Sequence, residues 1–230
     1  METREQINIE IQKFKENLAF YKSKNLRLFA SSSFQTHSIP MLAILSQLAP
    51  EVPVYFLNTG FHFVETFQYR DEITKLLNLN TKSVSSSINK KQQLNMSGQF
   101  NYVNDQDHCC YMNKVVPMDS LLNIYDVWIN GIRKNQSEQR AAMKVEEKAS
   151  EHALRYHPML DWSEKMIWKY IYDHNIPFHP LDLEGYNSIG CEPCTSKSNL
   201  EIGRDKNRNG RWEGIQKKEC GLHINLVVKE

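Results

Sequence analysis

The sequence predicts an α/β fold built around a parallel β-sheet. Short β-rich runs alternate with segments whose apolar residues step by three and four, and polar loops follow the strand-like runs. Size agrees, because 230 residues suffice for one large core or one domain with an appendage and would cramp two independent domains.

Residues 3–21 open the chain as a helix, since Ile7, Ile11, Phe14, Leu18 and Tyr21 fall on one face. Leu26–Ala30 (LRLFA) is a strand-like run, SSSFQTHS a polar turn, and Ile39–Leu48 a helix with Pro40 in its first turn. Val52–Leu57 (VPVYFL) is a second strand, closed by Asn58-Thr-Gly60, and Val64–Leu77 a third helix. Residues 78–108 are polar and carry no clear period, with Val84 a candidate for a third strand. Cys109–Leu122 is predicted helical and Asp126–Asn130 (DVWIN) a strand. An amphipathic helix runs Ser163–His174 behind the cap-like DWSEK, and from Gly185 onward the chain reads as loop.

The formal charge of +1 offers no global field for nucleic acid or an anionic membrane, so any basic site is local. The start, METREQINIE, shows no apolar run behind a basic region, and no stretch approaches the roughly 20 apolar residues of a membrane span. These features predict a soluble, cytoplasmic chain. Five cysteines in a reducing compartment then point to metal or redox chemistry rather than to a disulfide framework.

In open parallel sheets ligands sit beyond the carboxyl ends of the strands. Three polar loops fall there: SSSFQTHS, NTGFHF and GIRKNQSEQR. The last combines Arg133, Lys134 and Arg140 with Gln136 and Ser137, which suits an anion. Ser33–Ser38 resembles the S-G-G-x-D-S loop with which ATP pyrophosphatase-type enzymes cradle phosphates. Phe34 and Gln35 replace both glycines and His37 replaces the acid, which favours a smaller anionic group than magnesium pyrophosphate. Taken alone, the loop reads equally well as a strand-to-helix turn capped by Ser38.

Four cysteines come as two pairs, Cys109-Cys110 and Cys191-Glu-Pro-Cys194, and four thiolates suit zinc or an iron–sulfur cluster. Adjacent side chains on a helix diverge by about 100°, a spread that several iron corners accept more readily than one tetrahedral ion. Lys114 follows Cys110 by one helical turn, which would set a cation beside both the thiolates and the anion loops. The fifth cysteine, Cys220, stands alone in KKECGLH.

Together these stretches resemble the assimilatory phosphosulfate reductases, specifically the thioredoxin-dependent adenylyl-sulfate (APS) reductases with a four-iron cluster. The resemblance is carried by SSFQ, NTGFHFVETFQYRDEI, CCYMNKVVPM, WINGIRKNQSEQRA, YNSIGCEPCT and GRWEGIQKKECGLH. Asn58, Val64 and Asn113 depart from the usual aspartate, proline and arginine. The resemblance implies a Rossmann-like sheet of the adenine-nucleotide alpha-hydrolase type at 1–196, holding the nucleotide and the cluster, with a mobile catalytic tail at 197–230. It implies Cys220 as nucleophile and Cys109, Cys110, Cys191 and Cys194 as ligands of one [4Fe-4S] cluster per subunit. The substrate-binding positions it implies are Ser32, Ser33, Phe34, Gln35, Leu57, Thr59 and Gly60 on the first two loops. Lys114, Arg133, Gln136 and Arg140, then Arg208, Arg211 and His223 on the tail, complete the set. The implied reaction reduces APS to sulfite and AMP through an S-sulfocysteine, with thioredoxin or a glutaredoxin-like protein as reductant, in a chain that is often homo-oligomeric. PAPS reduction or dual specificity is the near alternative. An ATP-dependent adenylyltransferase or thiolation enzyme on the same fold is a remoter one, and a non-catalytic zinc module the last.

Overall fold

Ile7, Phe14, Leu18 and Tyr21 are buried along one face of α1 (Glu2–Ser23), as their spacing predicts. The computed structural model describes residues 2–197, 210–212, 217, 219 and 221–223. After α1 the chain alternates as expected: β1 (Leu28–Ser31), α2 (Ile39–Leu48), β2 (Val54–Leu57), α3 (Val64–Leu76) and β3 (Thr81–Val84). The polar stretch beyond it holds α4 (Asn101–Asn104) and α5 (Gln106–Cys110), and α5 continues through a π turn, Tyr111–Val115, into α6 (Val116–Leu122). Then come β4 (Val127–Asn130), α7 (Glu138–Ala141), β5 (Glu146–Lys148), β6 (Leu154–Tyr156) and α8 (Glu164–Asp173). Ser163 caps α8 by accepting the Met166 N–H.

The six strands run in the order β3-β2-β1-β4-β6-β5, parallel except for the antiparallel edge strand β5. All four residues of β4 are buried, as a strand covered on both faces requires. Alternation along the central strands feeds two cores. Leu28, Ala30, Val127 and Ile129 join the cluster under α1, α2 and α8, whereas Phe29 and Trp128 join one with Met118 and Leu122 of α6. Leu222, from the C-terminal segment, completes that second cluster.

Chain order reverses at β1: β2 and β3 are laid on one side and β4 on the other. Such a switch point leaves a crevice at the carboxyl ends of the strands, here β1 and β4. No helix among the described residues is long and apolar enough to cross a membrane.

Candidate active site

The loop leaving β1 keeps a glycine-like backbone without glycine. Phe34 sits at φ 52° and donates its N–H to Ser32 Oγ at 3.0 Å. The left-handed conformation costs about 1–2 kcal/mol for an L-residue. Burying the ring completely, edge-on to Phe56, offsets it. Gln35 Oε1 accepts the Ile189 N–H at 3.0 Å and its Nε2 donates to Ser33 Oγ at 3.2 Å, tying this loop to the segment that precedes Cys191. His37, in the position of the missing acid, packs against Trp168, and burial followed by the charge of Arg133 pushes its pKa down to about 4.

The crevice is a cavity of about 180 Å³. Ser32, Ser33, Gln35 and Leu57 line it from the β1 and β2 loops, Gln136 and Arg140 from the segment after β4, Lys114 from the π turn and Arg211 from the C-terminal segment. Other expected residues fall elsewhere. The Phe34 ring lies in the core beneath the loop. Thr59 faces the cysteines, and Gly60 borders a neighbouring hollow with Lys90. Arg133 is 3% exposed and is not among the residues lining the crevice; burial above all, with the charge of Arg140, lowers its guanidinium to about 10 against the pull of Glu164. Cys220, Arg208 and the side chain of His223 lie outside the described residues.

Asn130, which the sequence did not single out, ends β4 at the floor of the crevice. It is 4% exposed, and neither Oδ1 nor Nδ2 has a hydrogen-bond partner among the described residues. A buried carboxamide open at both atoms is costly without a ligand or a water to meet it. Its only sequence signal is its place as the last residue of a strand.

Across Lys114 lies a second cavity, lined by Cys109, Cys110, Cys191 and Cys194 together with Thr59 and Asn113. Lys114 and Cys191 border both cavities. The π turn begins immediately after Cys110, so the one-turn spacing drawn from a regular α-helix is replaced by a wider turn. The Cys191 segment is fastened to the loop after β2 by a bridge with His62 and by the Glu192 N–H on the Phe61 carbonyl at 2.7 Å. Thr59 Oγ1 lies 3.2 Å from Cys191 Sγ. Asn113 Nδ2 donates to Gln93 Oε1 at 2.8 Å, while Lys90 Nζ donates to Asn113 Oδ1 at 3.1 Å and stands 3.7 Å from the Phe61 ring centre. Burial first, then the neighbouring thiolates, raise the pKa of Cys109 and Cys194.

Four thiols lining one void make a donor set of the kind that binds metal groups through thiolates. Zinc would need its sulfurs about 3.8 Å apart, given Zn–S bonds of about 2.3 Å. Among the described residues no three His, Cys, Asp or Glu side chains converge on a single ion in this way. The wider span of four thiols lining one cavity fits a multi-iron cluster.

Described residues of the C-terminal segment, Arg211 and Leu222, line the crevice. Arg211 pairs in a short bridge with Thr195 and lies over Gly190, where a Cβ would collide with its guanidinium. Lys217 forms an ion pair with Asp107 of α5. Arg140 holds the buried Glu219 carboxylate in a bidentate grip, Nε to Oε2 at 3.0 Å and Nη2 to Oε1 at 2.9 Å, its Nη1 donates to Gln136 Oε1, and Ser137 Oγ donates to Oε2 at 3.0 Å. Arg155, fully buried against Trp128, donates to the Leu222 carbonyl at 3.4 Å. Ser137 belongs to the loop expected to suit an anion, whereas Arg155 and Glu219 were not among the expected site residues. Glu219 stands inside KKECGLH, while Arg155 lies in no motif of the sequence.

A family model described as the phosphoadenosine phosphosulfate reductase domain matches residues 27–197. The chain belongs to this family. Among its curated relatives, "Phosphoadenosine 5'-phosphosulfate reductase" of Gloeobacter violaceus is 35% identical over 86% of this chain and 82% of its own length. "Adenosine 5'-phosphosulfate reductase" of Bacillus cytotoxicus is 32% identical over 88% and 86%, and that of Salinibacter ruber 30% identical over 86% and 78%. The fold also resembles a solved PAPS reductase from Candida auris (TM-score 0.65, 19% identity, 82% of this chain and 95% of that one). An FMN adenylyltransferase from Candida glabrata shares it too (TM-score 0.62, 16% identity, 99% and 76%). The last two likenesses concern the fold, which is the α/β sheet of the adenine-nucleotide hydrolases that the sequence predicts.

Proposed function

We propose that this reductase-family chain reduces APS to sulfite and AMP, with thioredoxin as the electron donor, in the cytoplasm. The observation that carries this reading is the pair of cavities sharing Lys114 and Cys191: a polar crevice at the switch point on one side and a cavity lined by four thiols on the other. Cys109, Cys110, Cys191 and Cys194 would hold a [4Fe-4S] cluster. When bound, it would join the two cysteine segments and set the local field at Lys114, with no electrons passing through it to substrate.

Ser33, Gln35 and Gln136 offer hydrogen bonds to the nucleotide, and Asn130 meets it with an otherwise open carboxamide. Lys114 and Arg211, with Arg208 from the tail, oppose the phosphosulfate charge. Cys220, as thiolate, attacks the sulfuryl sulfur. The new S–S bond forms as the bond from sulfur to the bridging oxygen breaks, and AMP departs with that electron pair. A thioredoxin thiolate then attacks Cys220 Sγ, sulfite leaves, and the second thioredoxin thiol resolves the mixed disulfide. The dithiol supplies both electrons. Lys217, Lys218 and His223 stand close in sequence to support the Cys220 thiolate.

The Gloeobacter relative's name favours PAPS as a second reading. Comparing kcat/KM for the two nucleotides decides between them. Incubation with APS should add one sulfonate to Cys220 by intact mass. An adduct that persists in Cys220→Ser sinks the assignment.

A further inference from the structure

Arg140 lines the crevice, yet its Nε and Nη2 already grip a carboxylate of the same chain, while its Nη1 donates to Gln136 Oε1. That carboxylate belongs to Glu219, whose side chain is wholly buried, and Ser137 Oγ adds a third bond. Ser137 in turn accepts the Arg140 N–H as the cap of α7, so the receptor for Glu219 is built by the loop itself. Two positions after Cys220 in sequence, the Leu222 carbonyl is held by Arg155 and the Leu222 side chain enters the second core. The turn Gly221–His223 packs against α5 and the π turn that carries Lys114. Two buried arginines, from α7 and β6, thus grip the residues that flank Cys220 in sequence.

We propose that Glu219 is a positioning residue that latches the Cys220 segment onto the arginine loop, so that Arg140 acts on Cys220 through Glu219 and not on the nucleotide directly. A buried, bidentate, charge-assisted pair fixes geometry more strictly than an exposed one. While formed, the Arg140–Glu219 pair holds the residue before Cys220 at the arginine loop for attack on the substrate, and it breaks when the modified thiol meets its protein reductant. Opening exchanges the Arg140–Glu219 bonds for water without any covalent step. Arg211 and Lys114 also line the crevice. This inference rests on the functional reading above for the meaning of the latch, but not for its existence.

The test uses the holoenzyme and reads Cys220 alkylation by iodoacetamide, followed by peptide mass without any nucleotide. Glu219→Gln and Arg140→Gln should each speed alkylation roughly tenfold or more by populating the open tail. The double variant should be no faster than either single one, because both break the same bond. In turnover, Glu219→Gln should lower kcat at least roughly tenfold while KM for the nucleotide and AMP affinity move less than about twofold, as expected for lost positioning without lost binding. Unchanged alkylation in Glu219→Gln overturns the latch. So does an Arg140→Gln variant that raises KM while Cys220 reacts as in the wild type. Should Glu219→Gln fail to fold, Ser137→Ala removes one of the three bonds: faster alkylation supports the latch, and an unchanged rate overturns it. If the wild type forms no sulfonate adduct with APS or PAPS, the functional reading falls while the alkylation result stands.

Discussion

The crevice and the cysteine cavity share a wall but are assembled on opposite principles. The crevice draws its groups from loops that follow consecutive strands, so each group is placed by local chain geometry and contributes separately. The cysteine cavity joins a helix after β3 to a turn near residue 191, and only the full set of thiols makes a site. The difference teaches that damage should be graded on one side and all-or-none on the other, with Lys114 as the exception because it borders both.

The largest expected effect breaks the cysteine side. Cys191→Ser should abolish bound iron and sulfide altogether, read by colour and by chemical analysis, and should lower the melting temperature, because metal binding is folding free energy for segments it joins. Retention of half the iron would mean that the ligands act one by one. Next comes the shared wall: Lys114→Ala should reduce kcat about 100-fold, equivalent to about 2.7 kcal/mol of transition-state stabilisation, with iron content unchanged. Parallel loss of iron and turnover would assign Lys114 to the cluster's structure alone.

The central α/β alternation was legible because it rests on long, strongly periodic runs: α1, α2, α8 and the strands LFAS, VYFL and VWIN lie where periodicity sets them. β5 and β6 were not read. Each has three residues, one of them the charged edge Glu146–Lys148, and β6 carries Arg155, whose burial depends on Trp128 and the returning tail. The π turn was also invisible, since nothing in YMNKV separates it from an ordinary helix. At the site, residue types that announce chemistry were found, whereas Asn130 and Arg155 were not, because their meaning lies in who their neighbours are. The pairing of Arg140 with Glu219 joins positions 79 apart, and its carboxylate looked like one more charge on a basic tail.

A single graded contact should behave quite differently from Cys191. Asn130→Ala should raise KM for the nucleotide about tenfold, the worth of one good hydrogen-bond partner near 1.4 kcal/mol, and leave iron untouched. The same change should stabilise the ligand-free protein by about 2–4 °C in melting temperature, since it removes a buried carboxamide with neither atom paired. A fall in melting temperature would show that the side chain is structural and not waiting for a ligand.

The smallest effect tests the scaffold beneath the crevice through its histidines. His157 is 1% exposed, and burial followed by the charge of Arg155 lowers its pKa to about 3, against a hydrogen bond from its Nδ1–H to the Lys144 carbonyl at 2.9 Å. Between pH 6.5 and 3 the unfolded chain therefore holds a proton that the fold refuses, and stability falls as pH is lowered through that window. It is fully present above pH 6.5. His37 and His179, both lowered to about 4, act with the same sign. One such histidine contributes a slope of up to about 1.4 kcal/mol per pH unit. His157→Asn retains a donor for the Lys144 carbonyl and removes the titration, so a melting series from pH 7 to 5 should flatten by about one proton's worth of slope. An unchanged slope would mean that His157 keeps its proton in the fold, with Arg155 and the docked tail arranged differently around it.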